Sequence, residues 1–167
     1  MFLLAMTAGH GQAQTRNMTS PKEAVLHGAS YTTLRAAFQA ADAMDLLDTN
    51  NGEFTIYAPW NKAFDAMPPE LRQKLFKPEN KSVLRLVLSY HIVPQTNNPK
   101  ERKNETFKTL ADESVVIRRE VNGLPTIGGV PIINPGQYCT KGAFAGLGGV
   151  LIPEKAKKAL GLPERTD

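Results

Sequence analysis

The hydrophobic residues of this chain change their spacing near its middle, and that change constrains the fold more than any other feature. In the first half they recur at helical intervals, as Leu34, Ala37 and Phe38 do within residues 33–47. In the second half, residues 114–121 and similar runs have the β-branched composition of strands. Helices followed by strands, rather than a regular alternation of the two, predict an α+β domain.

One strand interrupts the helical half, because residues 53–58 are rich in β-formers and are followed by a proline. The helix that precedes this strand is expected to begin at Ser30 or Thr32, either of which can act as its N-cap. Asn61 is expected to cap the short helix after the strand, since its side-chain oxygen can accept a backbone N–H of the first turn. Further helices are predicted over residues 70–76, 81–89 and 154–160.

Turn residues divide the second half. Asn122 and Gly123 predict a tight hairpin turn after the strand 114–121. Residues 96–105, between the two halves, are polar and charged without an apolar period, so an exposed loop is expected there. A last short strand is predicted over residues 149–153, where three aliphatic residues precede a proline.

Composition excludes several classes of protein. The single cysteine, Cys139, cannot form an internal disulfide, so the packed core must stabilise the domain. The formal net charge of +4 is a mild excess, typical of a solvated surface and favourable for contact with an acidic envelope. Aromatic residues make up 7% of the chain and do not interleave with the basic clusters as a base-stacking platform requires, so nucleic-acid binding is not expected.

The sequence has no recognisable catalytic or cofactor motif. Its three histidines, His10, His27 and His91, lack the spacing of a metal-binding helix, and one cysteine cannot complete a zinc site. The glycines of residues 142–149 follow neither a phosphate-binding loop nor a dinucleotide-binding pattern. We therefore expect no enzyme activity, no metal and no cofactor.

The N-terminal residues have the features of an export signal. Residues 2–8 are apolar, and Gly11 and Ala13 place small side chains where a signal peptidase cleaves. We interpret residues 1–17 as the remnant of a signal peptide or a disordered N-terminus. No other stretch is long enough to span a bilayer, so the protein is expected to be secreted or periplasmic.

Three segments resemble the signatures of fasciclin-like domains. Residues 54–64 have the sequence Phe-Thr-Ile-Tyr-Ala-Pro-Trp-Asn-Lys-Ala-Phe, which is similar to the first signature of that family. Residues 75–94 resemble its central helix and contain the Tyr-His pair for which the family is known. Residues 141–153 resemble its second signature in length and in their Val-Leu-Ile-Pro ending. The residues that match the family motifs are Thr55, Ala58, Pro59, Asn61, Phe64, Tyr90, His91, Leu151 and Pro153.

The resemblance implies a fasciclin-like fold, in which a β-wedge or sandwich-like pair of sheets packs beside several helices. It covers residues 20–153 and leaves residues 154–167 as a short C-terminal helix and tail. It also implies a monomeric, non-catalytic module for cell adhesion, whose partner is a cell-surface or matrix protein or a polysaccharide.

The candidate binding residues are Tyr57, Trp60, Tyr90 and His91, together with the loop 96–105. In animal members of the family the Tyr-His region is linked to integrin recognition, so the resemblance implies a contact role for this pair. A histidine at a helix-to-strand joint also suits a buried, hydrogen-bonded position, because a buried polar group needs partners. Both interpretations of His91 stay open on the sequence.

Trp60 departs from the family, which has a small hydroxyl residue at this position. As the only tryptophan, it either covers neighbouring apolar groups or lines a cleft. The second option leads to an alternative function, a binding module for a small apolar ligand such as a lipid or carotenoid.

Overall fold

The computed structural model describes residues 20–48, 52–96, 104–119 and 123–163, the side chains of residues 135–137 excepted. The α-helices of this part are α1 Pro21–His27, α2 Thr32–Ala40, α3 Asn61–Asp65, α4 Pro69–Leu75, α5 Lys81–Tyr90 and α6 Glu154–Leu160. Its strands are β1 Phe54–Pro59, β2 Ile92–Val93, β3 Glu105–Lys108, β4 Ser114–Arg118, β5 Thr126–Ile127, β6 Val130–Cys139 and β7 Gly142–Leu147. The predicted α+β class is confirmed.

The strands form one continuous sheet in the order β2-β1-β7-β6-β5-β4-β3. β1 and β7 run parallel along their whole length, from Phe54 beside Gly142 to Pro59 beside Leu147, and the other neighbours are antiparallel. β6 pairs with β7 over most of its length and with β5 near its start, and its pairing with β7 is interrupted by register shifts. This long strand therefore joins two half-sheets into a wedge.

The two faces of the central strands serve two separate cores. Ile56 of β1 packs into a cluster that the helices cover, whereas its neighbour Tyr57 belongs to a second cluster between the half-sheets. Every residue of β1 and β7 is buried, as expected for a parallel pair covered on both sides. The second cluster includes Ile117, Ile127 and Leu147 from three different strands.

The helix predicted over residues 33–47 is confirmed in its first part, as α2, but it does not continue to residue 47. α2 ends at Ala40, and Asp42 adopts the left-handed conformation with φ of 47°. A helix cannot continue through such a residue, and Asp is one of the few side chains that tolerate it. The chain resumes as a short 3₁₀ turn, Met44–Leu47, which buries Leu47.

The predicted helix caps are also wrong. Tyr31 occupies the N-cap position of α2, so neither Ser30 nor Thr32 fills it. Asn61 does not cap α3, which has no side-chain cap. Its Oδ1 instead accepts the backbone N–H of Thr33 at 3.0 Å and the hydroxyl of Thr32 at 3.1 Å. Asn61 therefore caps the first turn of α2 from a distant part of the chain.

The end of the chain differs from expectation in one respect. Residues 149–153 form no strand but a connection to α6, and the strand that precedes them is β7, Gly142–Leu147. The small residues of β7 have a low strand preference and give no strong strand signal. Pairing with β1 and β6, rather than local preference, stabilises this strand. The predicted helices over residues 70–76, 81–89 and 154–160 are confirmed as α4, α5 and α6.

Some predictions concern residues outside the described part. These are the signal segment 1–17, the hairpin turn at Asn122 and most of the loop 96–105. Among the described residues, every helix is too short or too polar to cross a bilayer.

Candidate functional site

His91 is a buried connector between α5 and the segment that leads into α6. Its Nδ1 lies 2.8 Å from the carbonyl oxygen of Val87, and its Nε2 accepts the backbone N–H of Leu151 at 3.0 Å. Because a carbonyl only accepts and an N–H only donates, the ring is the neutral tautomer with hydrogen on Nδ1. Burial lowers the pKa of His91 from 6.5 to about 4, so the ring is uncharged at neutral pH.

The structure agrees with the second interpretation of His91, in which the side chain is buried and hydrogen-bonded. His91 and Tyr57 are 1% and 0% exposed. A buried side chain cannot touch a partner while the domain is folded, so neither residue can contribute its side chain to a contact surface.

Other motif residues also hold the fold together. The hydroxyl of Thr55 donates to the carbonyl oxygen of Gln95 at 2.8 Å, which ties β1 to the segment after β2. Phe64 is buried and meets the ring of Phe76 edge-on, with centroids 6.2 Å apart. The backbone N–H of Leu151 donates to Nε2 of His91, and Pro153 precedes α6 at its N-cap position. Burial and hydrogen bonding explain these positions without a ligand.

Tyr90 and Trp60 are half-buried and lie on different elements. The Tyr90 hydroxyl donates to the carbonyl oxygen of Ser114 at 3.2 Å, and its ring packs against the core between the half-sheets. Trp60 precedes α3 and has the ammonium of Lys62 5.1 Å from its ring centroid. The structure therefore does not assemble the four candidate residues into one exposed site.

A surface groove between α2 and α4 is a feature that the sequence did not predict. Its volume is about 670 Å³. An exposed ion pair lies in its wall, where Arg72 Nη1 donates to Asp65 Oδ1 at 2.9 Å. Trp60 is not among the described residues that line it. The lining residues are Thr32, Thr33, Ala36, Asp65, Met67, Pro69, Arg72, Gln73 and Phe76.

The surroundings of Cys139 and His91 do not favour a nucleophile–base pair between them. Burial, with a smaller contribution from the charge of Glu23, raises the pKa of the Cys139 thiol above its ordinary value. A thiol with a raised pKa is a weak nucleophile, and His91 cannot activate it while both ring nitrogens are hydrogen-bonded. Within the described residues, no three His, Cys, Asp or Glu side chains come together as a metal site.

The wedge of two half-sheets beside a helical layer, with His91 buried next to the half-buried Tyr90 at the end of α5, is the arrangement of a FAS1 domain. A solved FAS1 domain pair from the insect cell adhesion molecule Fasciclin I matches with a TM-score of 0.71 and 19% sequence identity. The match covers 83% of this chain and 52% of that chain, so this protein spans about half of the pair. This likeness confirms the predicted fold.

The chain belongs to the fasciclin domain family, whose model matches residues 29–153. It is 29% identical over 142 residues to Protein sll1483 of Synechocystis sp., with 85% of this chain and 78% of that protein covered. It is 30% identical over 148 residues to the immunogenic protein MPB70 of Mycobacterium bovis, with 86% and 75% covered. The family resemblance seen in the sequence is confirmed.

Proposed function

We propose that this protein is an extracytoplasmic, non-catalytic interaction module that binds cell-surface or matrix material. The observation that carries the proposal is the burial of the motif chemistry: both nitrogens of His91 are hydrogen-bonded inside the fold. A partner must therefore be bound by residues at the surface of the domain. The fold of an insect cell adhesion molecule supports an adhesive role, and the apolar residues 2–8 support export.

The proposed contact surface is the α3 corner, which we define as Trp60, Lys62 and Asp65. Trp60 is half-buried with one face near the Lys62 ammonium, and the other two side chains are exposed. Lys62 and Asp65 are three residues apart on α3 and therefore neighbours on its surface. A partly exposed tryptophan supplies a large rigid contact area, which is why this residue type often dominates binding energy at interfaces. Tyr90, at the end of α5, is a second candidate.

Binding to an immobilised domain tests the proposal. Purified domain on a biosensor is exposed to envelope fragments and matrix components, and saturation is measured for the wild type, Trp60→Ala and Tyr138→Ala. Tyr138 is the matched control because it is a 59% exposed aromatic residue at the end of β6. We expect saturable binding that Trp60→Ala weakens at least tenfold and Tyr138→Ala leaves unchanged. Failure of the wild type to bind any of these surfaces would refute the proposed function.

A further inference from the structure

The groove between α2 and α4 combines an apolar surface with a polar rim. Its volume of about 670 Å³ lies in the range of roughly 300–1,000 Å³ that small-molecule sites occupy. Four of its lining residues are apolar: Ala36, Met67, Pro69 and Phe76. The other five carry hydroxyl, amide, carboxylate or guanidinium groups, which add hydrogen-bonding chemistry to a lining whose surface is mostly apolar.

The ion pair in the groove wall has hydrogen-bonding capacity left over. Asp65 and Arg72 are joined by a bond between Oδ1 and Nη1 at 2.9 Å, and their side chains are 63% and 41% exposed. A guanidinium has five N–H donors and a carboxylate has two acceptor oxygens, so one bond occupies a small part of either group. Gln73 adds an exposed amide that both donates and accepts.

The charge of the groove restricts its ligand. The lining contains one acidic and one basic side chain, Asp65 and Arg72, and these neutralise each other although the whole chain has a formal net charge of +4. An anionic ligand would meet the carboxylate, and a plain acyl chain would cover the polar rim without satisfying it, which costs free energy. An uncharged molecule with many hydroxyl groups and apolar C–H faces matches both parts of the lining.

We propose that this groove binds a segment of a neutral polysaccharide. The C–H face of a sugar ring lies against Phe76 and Met67, and its hydroxyl groups exchange hydrogen bonds with Asp65, Arg72 and Gln73. The groove borders the α3 corner through Asp65, so a longer chain of sugars extends from it toward Trp60. The inference rests on the proposed function and names the chemical class of the surface component bound.

Calorimetric titration of the full chain with three neutral hexasaccharides tests the inference: cellohexaose, laminarihexaose and mannohexaose. We expect saturable binding of at least one, with Kd at least tenfold weaker in Arg72→Ala and in Gln73→Ala. Arg85→Ala is the matched control, because Arg85 also pairs with an aspartate and is similarly exposed, at 38%, but lies outside this groove. Thermal melts of each variant establish that it is folded.

Three outcomes would overturn the inference. The first is no saturation with any of the hexasaccharides, and the second is sugar binding that Arg72→Ala and Gln73→Ala leave unchanged. The third is saturation of the groove by lauric acid instead, lost in the same variants. If the wild type still binds envelope or matrix material in any of these cases, the proposed function stands and only the assignment of the groove fails.

Discussion

Replacing His91 by alanine tests whether this residue holds the fold together from inside. The substitution removes the side chain that pairs with both the carbonyl of Val87 and the N–H of Leu151. Val87 needs that partner because the N–H of residue 91 bonds to Leu88 instead of closing the regular helical bond. A buried polar group left unpaired costs about 1–3 kcal/mol, so the free energy of unfolding is expected to fall by about 2–6 kcal/mol.

Urea denaturation followed by far-UV circular dichroism measures this loss, with His27→Ala as the control. His27 is exposed at the end of α1, and its replacement should change the free energy of unfolding by no more than about 0.5 kcal/mol. A His91→Ala domain as stable as the His27→Ala domain would refute the structural role of the ring. Binding to surfaces is expected to persist in any His91 variant that remains folded, since the side chain is buried.

Acid should destabilise the wild type through the same ring: below pH 6.5 the unfolded chain takes up a proton that folded His91, with its pKa of about 4, does not. Urea denaturation between pH 7.5 and 4 should show that this residue lowers the free energy of unfolding by about 3 kcal/mol, because each pH unit contributes about 1.4 kcal/mol. His91→Ala should remove that part of the pH dependence. Asn61→Ala should cost about 1–2 kcal/mol in urea denaturation by uncapping α2, whereas an unchanged midpoint would show that the bond to Thr33 contributes nothing. Gly142→Ala should lower the melting temperature sharply or prevent folding, because φ is 136° and a Cβ would meet the Phe54 carbonyl oxygen at 2.0 Å. Solvent extraction of natively purified protein should release no stoichiometric lipid or carotenoid. Recovery of one such molecule per chain would support the alternative apolar-ligand function.

The local elements were largely predictable from residue patterns. α5 has apolar residues at helical spacing that end up buried, as Leu84, Val87 and Leu88 do, and a proline ends the strand that begins at Phe54. The fasciclin motifs were predictable for the same reason, since each is a short contiguous segment. These segments do not indicate which partners their polar residues bind.

Contacts between distant segments determine the partners of these polar residues. Asn61 accepts a hydrogen bond from the hydroxyl of Thr32, the first residue of α2, which lies 29 residues earlier in the chain. His91 accepts a hydrogen bond from a backbone N–H 60 residues later. The hydrophobic periodicity of the sequence does not indicate such pairings, because hydrogen-bond partners across the fold depend on how the elements pack. The same holds for β7, whose small residues become a central strand only between β1 and β6.

The sequence by itself determined the α+β class, the family and most of the helices, because these depend on hydrophobic period, turn residues and contiguous motifs. Only the tertiary structure decided that Tyr57 and His91 are buried, and it alone formed the groove between α2 and α4. Burial depends on which surfaces the rest of the chain covers, and a groove is the space that two separately encoded helices leave between them. Neither is a property of any one segment.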